Sequence, residues 1–119
     1  MARDIDAAIE AMLPLPPAFL HILIALGDGE RHGYGIMQNV SERTGGRIRM
    51  SPGTLYGSIK RMLSDGLIEE LTSGAAGADE RRRFYRTTKF GRRVAAAEAD
   101  RLASLLSQAR NSGLVPRRS

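Results

Sequence analysis

Thr54, Ser58, Lys60 and Arg61 lie within one short stretch, "SPGTLYGSIKRMLSDG", and bring hydroxyl, ammonium and guanidinium donors close together. Between them stand Gly53 and Gly57, which offer no side chain. Donors of this kind hold phosphates and the polar edges of planar bases, and glycines beside them let a bulky ligand reach the backbone. A second set, Arg81, Arg82, Arg83 and Arg86, concentrates guanidinium groups further along the chain. Bond-making chemistry is poorly represented by comparison. His21 and His32 have no cysteine companions and no carboxylate constellation, and Glu69-Glu70 and Asp79-Glu80 read as solvated edge and loop acids. No "GKS" or "GKT" follows any glycine-rich segment, so a phosphate loop is absent. An enzyme is not expected, nor a cofactor or a bound metal.

The first set needs a helix to present it. Ser51 is a good N-cap, and Pro52 suits the first helical position, where its missing N–H has no partner to lose. Leu55, Ile59, Met62 and Leu63 follow at helical spacing, and Gly66 closes the segment. At about 100° per residue the opposite face holds Gly53, Gly57, Lys60, Arg61 and Ser64, with Thr54 beside them and Tyr56 and Ser58 on the flanks. Each glycine weakens the helix by roughly 0.5–1 kcal/mol relative to alanine, which is easier to understand if something large approaches there.

The arginines need a hairpin. "LIEELT" (Leu67 to Thr72) and "RRRFYRTT" (Arg81 to Thr88) have strand character and flank the glycine-containing "SGAAGADE". Period-two alternation puts Arg81, Arg83 and Tyr85 on one face and Arg82, Phe84 and Arg86 on the other. All four arginines therefore cannot face one ligand, and Arg81 and Arg82, nearest the tip, are first choices for contact. The alternative is a basic strand edge that blocks aggregation.

Other helices are expected over "DIDAAIEAML", with Ile5, Ile9 and Met12-Leu13 on one stripe, and over Ala18 to Leu26, apolar almost all round and capped by Gly27. A third begins near Gly33, turns Ile36, Met37 and Val40 inward and stops at Gly45-Gly46. "RIRM", Arg47 to Met50, alternates like a short strand. Thr88 caps a last helix from Lys89 to about Arg110, whose Phe90, Val94, Leu102, Leu105 and Leu106 give more apolar surface than a small monomer needs. Leu102, Leu105 and Leu106 read as an oligomerisation surface, with packing onto the chain's own domain as the alternative; Ile5 and Ile9 are also expected at the dimer interface.

The chain has 119 residues, enough for one modest core. It contains no cysteine, which excludes disulfides and fits a reducing cytoplasm. Its most apolar run, Ala18 to Gly27, is about half the roughly 20 residues of a membrane span, and Asp4, Asp6 and Glu10 interrupt any signal peptide. Net charge is +5 but unevenly placed: −3 over residues 1–46, +6 over 47–93 and +2 over 94–119. A basic middle of this kind is either a solvated surface or a polyanion-binding face. The final "GLVPRRS" resembles a thrombin recognition site and reads as part of a flexible tail.

Helix, helix, short strand, capped helix and then a basic hairpin form the order of a winged helix-turn-helix. The expected fold is thus mainly α with a small β-hairpin wing, over residues 1–88, followed by a dimerisation helix, 89–110, and a tail, 111–119. Three segments, "HILIALGDGERHGYGIMQNVSERTGG", "MSPGTLYGSIKRMLSDGLIEE" and "RRRFYRTTKFGRR", together resemble the PadR family of bacterial transcriptional regulators. The short single C-terminal helix resembles that of the family's smaller subgroup, whose dimers pair this helix with the partner's N-terminal helix.

The resemblance implies that Ser51 to Ser64 holds the recognition helix, with Thr54, Tyr56 and Lys60 at DNA-contacting positions. It also implies that Tyr34 lies near phosphate and that Arg81 to Arg83 occupy the wing. Family members typically repress detoxification genes and release double-stranded DNA when a small molecule binds. The chain departs from the family at Gly35, usually an acid, and at Gly57, often proline; its last helix has Phe90 as its only aromatic residue. The expected function is a dimeric, sequence-specific repressor on a pseudo-palindromic operator. A winged-helix module whose basic face binds an acidic protein is the alternative.

Overall fold

A computed structural model describes residues 2–71 and 83–117. Five helices and three short strands follow in the order α1 (Ala2–Ala11), α2 (Pro17–Ala25), β1 (Arg31–His32), α3 (Gly33–Arg43), α4 (Pro52–Ser64), β2 (Ile68–Leu71), β3 (Phe84–Thr87) and α5 (Lys89–Asn111). Local sequence accounts for most of these boundaries. The Ser51 hydroxyl accepts the Thr54 N–H at 3.1 Å and starts α4, and Thr88 does the same for α5 through Gly91 N–H at 2.9 Å. At the far end of α4, Gly66 takes φ +76°, and the Leu67 N–H reaches back to the Met62 carbonyl at 2.9 Å.

The core forms where the apolar faces of these helices meet the sheet. Ile22 and Leu26 of the α2 region, Ile36 and Val40 of α3, and Leu55, Ile59 and Met62 of α4 are almost fully buried. Leu67, Ile68 and Tyr85 close the core from the sheet side. Helix α5 joins the same core through Gly91, Val94 and Glu98, and packs against α1 and α2. The close approach at Gly91 is severe: a Cβ there would stand 1.9 Å from the Leu67 carbonyl oxygen. The division expected at residue 88 is therefore not a break in packing.

Two expectations change. Arg47–Met50 is not a strand, because the Ile48 N–H is taken by the Thr44 hydroxyl at 3.0 Å and the preceding Gly45 and Gly46 adopt φ +61° and +80°. The third strand is instead Arg31–His32, which pairs antiparallel with β3 to give the order β1-β3-β2. A two-residue strand is too short to carry a periodic signal. Second, Ile9 is only 7% exposed and contributes to the chain's own core, so it is not left as free interface surface. Among the described residues Leu67, Arg83 and Thr88 lie just outside β2 and β3, and the segment with Arg81 and Arg82 lies outside the described residues.

Candidate nucleic-acid interface

Helix α4 is anchored by one face and open on the other. Thr54, Tyr56, Gly57, Lys60 and Arg61 are exposed, Ser58 is half-buried, and Leu55, Ile59 and Met62 point into the core. A Cβ on Gly57 would meet nothing within 4 Å, and one on Gly53 would have the Ser51 hydroxyl at 3.9 Å as its nearest neighbour. Neither glycine is required by the chain's own packing. The first turn contains no acidic residue, so nothing there competes with an incoming anion for the helix N-terminus.

The hydroxyls at that N-terminus are ordered. Ser51 Oγ accepts the Thr54 N–H and donates to Thr54 Oγ1 at 3.1 Å. Thr54 Oγ1 then has its own proton available for an external acceptor, while Ser51 is committed to capping. Ser51 thus serves the cap that its position in the sequence suggests, and Thr54 is the hydroxyl left for a ligand.

The preceding helix α3 starts beneath Tyr56, whose ring lies against the buried Gly33. Tyr34, one residue on, is 61% exposed. His32 is the N-cap of α3: its Nδ1 accepts the Gly35 N–H at 2.9 Å, and its ring meets Phe84 edge-on at 5.6 Å. Accepting at Nδ1 places the proton of the neutral imidazole on Nε2. Sequence reasoning noted only that His32 lacks metal-binding or catalytic companions and missed the cap. The signal was present, because histidine three residues before a glycine can act as asparagine does.

The wing strands carry paired charges. Register sets Glu69 opposite Arg86 and Glu70 opposite Tyr85. Arg86 Nε donates to Glu69 Oε1, and Arg83 stands 3.6 Å from Glu70. Tyr85 is buried, and desolvation raises its phenol pKa, with the Glu70 charge adding to the effect and Arg83 opposing it. Alternation correctly separates Tyr85 and Phe84 onto opposite faces, yet neither described arginine is without an acidic neighbour. By contrast, Arg47, Arg49, Lys60 and Arg61 are exposed and have no ion pair among the described residues. Arg47 and Arg49 were read only as part of a strand.

The dimer candidates fall into two groups. Ile5, Leu102, Leu105 and Leu106 are 43%, 41%, 53% and 43% exposed, whereas Ile9 is buried. Among the described residues no helix is long and apolar enough to cross a membrane.

Two helices joined by an ordered connection, the second open to solvent and followed by a two-stranded wing, define a winged helix-turn-helix. Residues 22–97 match the PadR-like family of transcriptional regulators. The transcriptional regulator Rv3488 of Mycobacterium tuberculosis is 42% identical over 87 residues, covering 71% of this chain and 72% of that protein. A PadR family transcription regulator from Clostridium difficile R20291 superposes with a TM-score of 0.70 at 25% identity, covering 84% of this chain and 100% of that one. RosR of H. salinarum gives 0.61 at 27%, covering 82% and 79%. The chain belongs to the PadR-like family of transcriptional regulators, and its function is regulatory rather than enzymatic.

Proposed function

We propose that this protein is a transcriptional repressor that binds a pseudo-palindromic operator as a homodimer, with one α4 helix entering the major groove at each half-site. The observation that carries the reading is the open face of α4, where Gly53 and Gly57 have no internal reason to be glycine and Thr54, Lys60 and Arg61 stand exposed. A recognition helix presents its N-terminal residues to base edges, and cations nearby hold phosphates. Thr54, with a free hydroxyl proton, and Ser58 read bases; Lys60 and Arg61 bind the backbone, joined by Tyr34, Tyr56 and the wing residues Arg81, Arg82 and Arg83.

Exposed Leu102, Leu105 and Leu106 on α5 and Ile5 on α1 support pairing of these helices between two copies. Twofold symmetry then places half-sites about one helical turn apart. Release of DNA by a small-molecule effector is what the family resemblance implies, and control of the protein's own gene is the extension that the upstream fragment tests.

Binding to the protein's own upstream DNA and to a scrambled duplex across a salt series tests the reading. Preference for the upstream fragment that persists as salt rises supports an autoregulating repressor. Equal and steeply salt-sensitive binding to both opposes specific recognition of that fragment.

A further inference from the structure

We infer that the turn between α3 and α4 is a separate phosphate-binding element, in which Arg47 and Arg49 hold the DNA backbone beside the recognition helix. The inference rests on the DNA-binding reading of α4, whose N-cap Ser51 follows Arg49 by two residues.

The turn is built to a fixed shape. Gly46 N–H bonds to the Ser41 carbonyl at 2.7 Å, Arg47 N–H to the Thr44 carbonyl at 3.1 Å, and Ile48 N–H to the Thr44 hydroxyl at 3.0 Å. That hydroxyl itself donates to the Val40 carbonyl at 2.8 Å, tying the turn to the end of α3. The backbone carrying the two arginines is thus ordered before any ligand arrives, which lowers the entropy lost on binding. Arg49 lies across the turn, its guanidinium 3.5 Å from where a Cβ on Gly46 would stand.

Arg43, Thr44, Gly45, Arg47 and Ile48 line an open groove of about 590 Å³. Arg43 is already engaged there, donating to Asn39 Oδ1 at 2.7 Å and to the His21 carbonyl at 3.0 Å. Arg47 and Arg49 are exposed and lack a carboxylate partner among the described residues, unlike Arg31, Arg83, Arg86, Arg93 and Arg101. No acid occurs between Thr44 and Ser51. The exposed Ile48 between the two arginines gives the groove an apolar patch suited to a sugar. Arg47 and Ile48 in the groove, with the exposed Arg49 beside it, suit a phosphodiester strand, and the two-residue step from Arg49 to the α4 N-cap sets that strand against the same duplex.

Arg47→Gln, Arg49→Gln and the double variant would be titrated with upstream and scrambled duplexes between about 50 and 200 mM salt. The expected result is an equal loss on both duplexes, about tenfold or more in the double variant. The slope of log affinity against log salt should fall by roughly 0.9 per arginine removed. Arg→Lys variants should keep most of that slope, because the charge remains. Thermal midpoints should not move, since both side chains are exposed. Wild-type binding with an unchanged slope in the double variant overturns the phosphate role and leaves the reading of α4 intact. Failure of the wild-type protein to bind either duplex at any salt overturns both.

Discussion

The Tyr56 phenol lies against the α-carbon of Gly33: a Cβ there would stand 2.6 Å from the hydroxyl oxygen and 3.0 Å from Cζ. Tyr56 belongs to α4 and Gly33 opens α3, so this contact joins the two helices. Gly33→Ala should push the half-exposed Tyr56 ring outward into solvent, at a cost of at most about 1 kcal/mol. Tyr56→Leu should relieve part of that loss. Urea unfolding of both single variants and the double tests the coupling, and purely additive effects would sink it.

Gly91 has no comparable escape, because its obstacle is backbone. A Cβ 1.9 Å from the Leu67 carbonyl oxygen cannot be cleared by a rotamer change. Gly91→Ala is expected to cost at least about 3 kcal/mol or prevent folding, while Gly57→Ala, which meets nothing within 4 Å, should stabilise the helix slightly. If Gly57→Ala also weakens DNA binding, the close approach proposed for α4 gains direct support. Similar stability in the two variants would contradict the packing at Leu67.

Stability should decline with acid in two steps. Burial, and secondarily the Arg43 charge, lowers the His21 pKa, so the folded protein favours neutral imidazole. Its contribution is present above the ordinary histidine value of about 6.5 and is lost as pH falls toward the lower folded value. Glu98 is 2% exposed, and the Arg101 hydrogen bond, helped by the Leu15 N–H at 3.2 Å, lowers its pKa despite burial. That contribution is present above about 4.3 and is lost as pH falls through the lower folded value. Melting temperature against pH should lose the first step in His21→Gln and the second in Glu98→Gln; identical profiles in all three proteins would refute both assignments.

Leu105 is the most exposed of the three α5 leucines. If it sits in a dimer interface, Leu105→Asp should shift sedimentation toward monomer and raise the dimer dissociation constant at least about tenfold. The monomer's fold should be unaffected. DNA binding should weaken along with dimerisation, because each copy then meets one half-site alone. An unchanged sedimentation profile would place the interface elsewhere.

Glu69 and Glu70 neutralise the two described wing arginines. Glu70→Gln should release Arg83 and remove a negative charge from the wing. Affinity should then rise several-fold on specific and scrambled duplexes alike, with a steeper salt dependence. Anisotropy titrations check this, and weaker binding in Glu70→Gln would show that the pair positions the wing instead of restraining it.

Much of the frame was legible because its causes are local. Ser51 and Thr88 cap helices through N–H groups three residues away, Gly66 ends one through its own φ, and Leu55, Ile59 and Met62 mark a buried face by spacing alone. Arg47–Met50 misled because alternation over so few residues also describes an exposed turn, and only the Thr44 hydroxyl decided between them. Periodicity says which face of a segment is apolar, but it does not say which neighbour covers that face. Tertiary packing therefore decided that Ile9 is core while Ile5 remains half-exposed, and that Arg31–His32 completes the sheet. It also brought Glu98 to the Leu15 N–H and Gly91 to the Leu67 carbonyl, across 83 and 24 positions of sequence. Such contacts depend on how helices stack once their apolar faces are buried, and no single stretch of the chain contains that information.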